Sequence, residues 1–212
     1  VVGNGYNSEG GKAQLFVINL ATGAIIKRFN TRVGSHSVPN GMATPLAIDS
    51  DGDFSAEFVY AGDMFGNLWK FDISDESASN WSIEFDGNPL YTAIAPSGKA
   101  QPITSKPAII VHPDGGYVVL FGTGRFFVSG DDLVRNPAEV HTFYGIRDTG
   151  AVVASVGARD LPGGAAQPTT VLQPQEIIEE DVDTFDTLHQ FTRTLTQNNV
   201  DYSTQKGWYL DF

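Results

Sequence analysis

Three times in 212 residues the chain repeats one plan: an apolar strand ending in glycine, a turn, then a strand of aromatic and aliphatic residues closing on a polar residue. Val1-Val2-Gly3-Asn4-Gly5 is followed by Leu15-Phe16-Val17-Ile18-Asn19, and Val59-Tyr60-Ala61-Gly62-Asp63 by Leu68-Trp69-Lys70-Phe71-Asp72. Leu120-Phe121-Gly122-Thr123-Gly124 is followed, after a longer loop, by Thr142-Phe143-Tyr144-Gly145-Ile146. The anchoring glycines stand at 3, 62 and 122, so the intervals are 62−3=59 and 122−62=60. Units of this length, built from several short strands, suggest propeller blades with long loops, the alternative being a chance alignment of short Gly-ended apolar strands.

The strands between the anchors fit blades. Gln14 to Leu20 and Tyr117 to Phe121 are nearly continuously apolar, as strands covered on both faces are. Trp81, Ile83 and Phe85 alternate with Ser82, Glu84 and Asp86, which predicts an outermost strand with one wet face. Turn residues sit at Ala21-Thr22-Gly23, Met64-Phe65-Gly66-Asn67 and Pro113-Asp114-Gly115-Gly116. The one weak helical pattern runs from Gln175 to Asp183. Residues 149–187 change character, with Pro162-Gly163-Gly164-Ala165-Ala166 and then Glu179, Glu180, Asp181 and Asp183, and are expected to form a long surface insertion, partly disordered or capped by a helical turn. Strand pattern returns at Phe191 to Leu195 and Trp208 to Phe212. The expectation is an all-β chain, a single domain over 1–212, forming about three to four blades of a β-propeller. A closed ring takes four to eight, so the sequence reads as an excerpt whose open sheet edges need covering by further strands.

The densest chemistry lies in Asp49-Ser50-Asp51-Gly52-Asp53-Phe54-Ser55-Ala56-Glu57, between the apolar runs Thr44 to Ile48 and Phe58 to Ala61. Acids at relative positions 1, 3, 5 and 9 cannot converge on a straight strand or helix without strong repulsion, so the chain must curl around something positive. Oxygen ligands suit a hard cation. The candidate set is the side chains of Asp49, Asp51 and Asp53, the Ser55 carbonyl and Glu57, with water completing about six or seven oxygens on Ca²⁺. Gly52 permits the tight turn. This is not an EF-hand, because Phe54 stands where that loop needs Gly and Tyr60 where it needs a bidentate Glu. Two alternatives stand beside calcium: a solvated acidic hairpin, since Asp, Gly and Ser are also ordinary turn residues, and magnesium, which five protein oxygens suit less well because it retains several waters.

A net charge of −12, with 13 scattered Lys and Arg, argues against a nucleic-acid partner. No apolar run reaches the 18 or so residues of a membrane helix, so direct membrane insertion is not expected. Zero cysteines exclude disulfides, thiolate metal sites and a cysteine nucleophile. His36, His112, His141 and His189 lack paired spacing and are read as structural or surface residues. Gly3-Asn4-Gly5 and Gly122-Thr123-Gly124 lack the third glycine and helix of a nucleotide loop. No nucleophile elbow is present, and Trp69, Phe71, Trp81 and Phe85 follow strand periodicity. No catalytic residue is assigned.

Several stretches, in order along nearly the whole chain, resemble the C-terminal propeller domain of the PilY-type proteins, calcium-binding tip adhesins and biogenesis factors of type IV pili. They are Val2-Gly3-Asn4-Gly5-Tyr6-Asn7-Ser8, Leu46 through Asp53, Val59 through Asp72, Phe121-Gly122-Thr123-Gly124-Arg125-Phe126, and Lys206-Gly207-Trp208-Tyr209-Leu210-Asp211. The resemblance implies a modified β-propeller with quinoprotein-type blades and one calcium on Asp49, Asp51, Asp53, the Ser55 carbonyl and Glu57. It further implies partners among pilus components, minor pilins or pilin, and in the remainder of a larger chain, at the cell surface or pilus tip. Calcium occupancy in that family is tied to pilus extension against retraction, and so to twitching and attachment. Glu57 departs from it, since Asp is the more usual residue there.

Quinoprotein-like blades also raise an enzyme alternative, a periplasmic dehydrogenase using pyrroloquinoline quinone. Such a site draws residues from all blades, whereas these carboxylates come from one loop; the expectation is a non-enzyme. A third alternative is a metal that merely stabilises the scaffold.

Overall fold

The computed structural model describes residues 1–6, 8–133, 138–154, 159, 171–183 and 190–212. Blade one consists of β1 (Val2–Gly3), β2 (Gln14–Ile18) and β3 (Ile25–Asn30), paired antiparallel. Blade two follows with β4 (Leu46–Ile48), β5 (Phe58–Gly62) and β6 (Asn67–Asp72), and the outer edge of β6 is shared by β7 (Ser82–Ile83) and β8 (Tyr91–Thr92). Blade three begins as β9 (Ala108–Val111), β10 (Tyr117–Gly122) and β11 (Thr142–Asp148). The chain then forms β12 (Gln173–Gln175) and a separate hairpin of β13 (Ile177–Asp183) and β14 (Gln190–Leu195). Only afterwards does β15 (Gly207–Asp211) return to pair antiparallel with β11, and β12 lies parallel on its far side. The architecture is all-β, and among the described residues its blade sheets do not close into a ring, consistent with an incomplete propeller.

The repeated glycines end β1, β5 and β10, the corresponding strands of the three blades. Two of them are there for want of space. A Cβ on Gly3 would lie 2.3 Å from the Ala43 carbonyl oxygen, and one on Gly62 would lie 2.2 Å from Ile103 Cγ2, each in the segment leading into the next blade. Gly122 meets nothing closer than the Phe143 ring at 3.9 Å. The residue after each glycine clasps the next strand of its own blade: Asn4 Oδ1 accepts the Gln14 N–H at 3.0 Å, Asp63 Oδ1 that of Asn67 at 2.9 Å, and Thr123 Oγ1 that of Thr142 at 2.8 Å. The donors are the first residues of β2, β6 and β11.

The apolar run of β5, and Leu68, Trp69 and Phe71 of β6, follow from these strands having a blade on either side. Val59, Ala61, Trp69 and Phe71 join Leu15, Phe29 and Met42 in one core, against blade one. Tyr60 and Leu68 point the other way and join Val119, Phe121, Tyr144, Ile146 and Tyr209 of blade three. Each such side chain contributes about 1.5–3 kcal/mol on burial. A period of 2 with two covered faces leaves little room for polar side chains, and Lys70, the exception inside β6, is buried with an ionic partner in Asp148.

Four expectations are corrected. Gln14 to Leu20, expected to be covered on both faces, is strand only over Gln14–Ile18 and buried along one face: Leu15 sits in the core shared with blade two, while Ile18 and Leu20 are exposed. The strand expected over Trp81 to Asp86 is only Ser82–Ile83; a four-residue helical turn, Glu84–Gly87, follows, with Phe85 and Asp86 in the left-handed region at φ 55° and 56°. That turn carries Phe85 off the strand to pack against the core between blades two and three. The weak helical pattern from Gln175 to Asp183 is strand, and the cross-strand pair of Arg193 Nε and Glu180 Oε1 at 2.8 Å supports it. Within 149–187, the described residues are not all surface: Val153 and Leu172 are buried in the core, and Arg159 is buried against Tyr144, Thr142 and Asp211. Residues 155–158, 160–170 and 184–187 of that stretch, including Pro162 to Ala166, lie outside the described residues. No helix among the described residues is long and apolar enough to cross a membrane.

Candidate metal centre

The acidic stretch is the turn between β4 and β5, the first two strands of blade two. Ile48 and Phe58 pair across its base, and the Glu57 N–H donates to the Ile48 carbonyl at 3.0 Å, so the loop is held at both ends by a sheet. Between those ends Gly52 and Phe54 adopt left-handed backbone, φ 82° and 74°, and the chain curls back on itself. The first aspartate organises the curl: Asp49 Oδ1 accepts the Gly52 N–H at 2.6 Å and Oδ2 that of Phe54 at 2.9 Å. Asp51 Oδ1 accepts from Asp53 N at 3.1 Å, and Asp53 Oδ1 from Ser55 N at 2.7 Å.

These bonds turn the carboxylates towards a common point. Asp49, Asp51, Asp53 and Glu57 each bring an oxygen within 4.8 Å of the others. Two oxygens opposite one another on Ca²⁺, each about 2.3–2.6 Å from the ion, are about 4.6–5.2 Å apart, so the four fit one shell. All are hard anionic donors, and the three aspartates are exposed while Glu57 is half-buried. At that separation two full charges repel by about 1 kcal/mol in water and by about 3.5 kcal/mol at an effective dielectric of 20. Ser55, the expected carbonyl ligand, stands in the same turn between Asp53 and Glu57, with its N–H committed to Asp53. Sequence reasoning missed Ser50. Its N–H and hydroxyl both donate to Glu57 Oε2, at 2.5 and 2.7 Å; the signal was a hydroxyl residue directly after the first aspartate of the loop.

Elsewhere, charged groups are spent on structure. Asp63 is fully buried, and its Oδ2 accepts from Asn40 Nδ2, Asn67 Nδ2 and Trp69 Nε1, each at 2.9 Å. Between blades two and three, Lys70 Nζ lies 2.9 Å from Asp148 Oδ2, which also accepts the Tyr60 hydroxyl at 2.5 Å. The ammonium sits 4.2 Å from the centre of the Phe58 ring. Burial, and then the Asp148 charge, push the Tyr60 phenol far above its ordinary range. Among the described histidines, His36 Nδ1 lies 3.3 Å from the Glu9 carbonyl oxygen, and His112 is buried edge-on to Tyr202. His189 lies outside the described residues, and the acidic loop is the one metal-compatible cluster of three or more His, Asp or Glu among those described.

With this geometry in place, comparison with known proteins is specific. A family model described as the PilY1 beta-propeller domain matches residues 1–193. A type IV pilus biogenesis factor PilY1 homolog of Xylella fastidiosa is 35% identical over 224 residues, covering 100% of this chain and 14% of its own. The type IV pilus biogenesis factor PilY1 of Pseudomonas aeruginosa strain PAO1 is 36% identical over 237 residues, covering 100% of this chain and 20% of its own. The crystal structure of the Pseudomonas aeruginosa PilY1 C-terminal domain superposes with a TM-score of 0.81 at 34% identity, over 100% of this chain and 46% of that one. This chain therefore spans about a fifth or less of these two curated relatives. Blades, clasped strands and sequence agree: the chain belongs to the PilY1 β-propeller family.

Proposed function

We propose that this chain is a calcium-binding, non-enzymatic module of a type IV pilus-associated protein at the bacterial cell surface, reached through the periplasm. In this reading, occupancy of the β4–β5 loop biases pilus extension against retraction, and with it attachment. The observation that carries it is the convergence of Asp49, Asp51, Asp53 and Glu57 in one exposed turn, in a family whose relatives are named pilus biogenesis factors. Those carboxylates and the Ser55 carbonyl would hold the ion, which supplies positive charge. Without it, their mutual repulsion opposes the curl; with it, the loop stiffens and the ends of β4 and β5 stiffen too. The ordered loop then alters how the propeller meets its partners, minor pilins or pilin and the remainder of the larger chain. The shift is limited by the ion's preference for one state of the loop. Four carboxylates from one loop supply most of an ion's shell without a quinone, which favours binding over dehydrogenase chemistry.

Calorimetry with Ca²⁺ on the wild type and on Asp51→Ala/Asp53→Ala tests the site. Binding heat in the first and none in the second is expected, and equal heats would end the reading. A double variant that binds no calcium and melts lower, yet leaves piliation and twitching intact, would reduce the metal to a scaffold role.

A further inference from the structure

We propose that a cleft on the face of blade three turned away from blade two binds a neutral saccharide, whether or not the β4–β5 loop holds an ion. Its floor is set by strand register: Gly145 on β11 pairs with Trp208 on β15, and Phe143 with Leu210. The alternate residues Tyr144, Ile146 and Tyr209 of the same strands enter the core with blade two, so Phe143, Trp208 and Leu210 stand on the opposite face. A Cβ on Gly145 would lie 2.5 Å from Cε2 and Nε1 of Trp208, so the missing side chain is what lets the indole lie against the sheet. Phe143 meets that ring at 60°, with centroids 5.5 Å apart. Both aromatic residues are half-buried, which leaves ring surface open to solvent. The wall is the segment 195–202, and polar bonds fasten it to β12. Gln175 Nε2 donates to the Asn198 carbonyl at 2.7 Å, its Oε1 accepts the Asn198 N–H at 3.0 Å, and Asn198 Nδ2 donates to the Pro174 carbonyl at 3.0 Å. Wall and floor enclose a cleft of about 620 Å³, a size usual for small-molecule sites.

The chemistry of the lining selects the ligand. No charged residue lines the cleft, in a chain whose net charge is −12, so neither an anion nor a cation finds a counter-charge there. Gln197 and Asn199 line it, are exposed, and spend neither side-chain amide on the described residues. The indole N–H of Trp208 is equally unspent on them, whereas that of Trp69 goes to Asp63 and that of Trp81 to the Asp75 carbonyl. A primary amide sets donors beside an acceptor, and each hydroxyl of a sugar is both. The apolar C–H face of a pyranose can stack on the indole while its hydroxyl rim meets the amides. An apolar strand laid over the same face satisfies none of these polar groups, and burying them without partners is costly.

The test is saturation-transfer NMR, irradiating the protein's aromatic signals and observing cellobiose, maltotriose and N,N′-diacetylchitobiose in turn. Saturable transfer to the ring protons of at least one sugar is expected, with none to glycerol at matched concentration. Gln197→Ala/Asn199→Ala should weaken binding about tenfold, the effect of losing two net hydrogen bonds to a neutral ligand. Trp208→Leu should abolish transfer, with near-ultraviolet circular dichroism reporting its fold; should that variant misfold, the amide pair, which holds nothing else in place, decides. No transfer to any of the sugars, the outcome if a further strand or a peptide fills the cleft, overturns the proposal. Transfer that the amide variant leaves at wild-type strength overturns it too.

Discussion

Exchanging the residues that follow the first two repeated glycines should fail in both directions, although each exchange swaps one oxygen for one nitrogen. Asp63 is met by donors alone: Phe65 N and Asn67 N on Oδ1 at 2.9 Å, and Asn40 Nδ2, Asn67 Nδ2 and Trp69 Nε1 on Oδ2 at 2.9 Å. Asn4, its counterpart in blade one, accepts Gln14 N and Met42 N on Oδ1, both at 3.0 Å, but its Nδ2 donates to the Lys12 carbonyl at 2.7 Å. Asp63→Asn must therefore point an amide N–H₂ at three donors or, flipped, at two. Each buried donor so orphaned costs about 1–3 kcal/mol, so the better orientation still loses about 2–6 kcal/mol. A typical domain has about 5–15 kcal/mol in all. At about 2–4 °C per kcal/mol for a chain of this size, the melting temperature should fall by about 4–24 °C. Asn4→Asp sets a carboxylate oxygen against the Lys12 carbonyl and should lose about 1–3 kcal/mol, the low end because the site is half-buried. Urea denaturation of the two single variants is the assay. An Asp63→Asn protein within about 0.5 kcal/mol of the wild type would refute the claim that donor count selects Asp over Asn at these positions.

Between blades two and three, Asp148→Ala strands a buried Lys70 ammonium and the Tyr60 hydroxyl at once, and a loss of about 3–5 kcal/mol in urea melts is expected. Lys70→Met keeps the volume beside Phe58 and leaves Asp148 with the Tyr60 hydroxyl and the Gly150 N–H, so it should be the milder change; the reverse order would contradict this account. Burial raises the phenol pKa of Tyr60, Tyr91 and Tyr144 above the ordinary value. A raised folded-state pKa means stability that is complete below about pH 10 and is lost as pH climbs towards the folded values. Absorbance titration should accordingly show these three of the seven tyrosines ionising only together with unfolding, whereas early, reversible ionisation of all seven would argue against it.

Much of this fold is written locally, and the residues show where that stops. The apolar run Phe58 to Ala61 has a blade on each side of it, whereas Gln14 to Leu20, equally apolar, is buried along one face only and ends in an exposed Leu20, because apolar content alone does not say whether a second blade is there to cover it. The turn glycines and the 60-residue interval placed the blades. The carboxylate spacing from Asp49 to Glu57 announced convergence, since every bond that curls the loop joins residues within seven positions. Trp81 to Asp86 misled because period-2 alternation carries no notice that Phe85 and Asp86 turn left-handed. The roles of Asp63 and Asp148 were out of reach: their partners Asn40 and Tyr60 stand 23 and 88 positions away, and nothing in the intervening sequence marks the pairing.

Blade three is completed out of turn, for Ile146 on β11 pairs with Gly207 on β15, 207−146=61 positions later. Closing such a span is thermodynamically cheap, because a doubled loop adds only about 0.6 kcal/mol, but it is slow compared with joining neighbouring hairpins. On the ribosome, blades one and two can mature around Trp69 while β11 still waits with a bare flank for a partner not yet synthesised. Misassembly should therefore begin at that flank, and changes of length between β11 and β15 should show up first in refolding yield, well before they register in the stability of the finished protein.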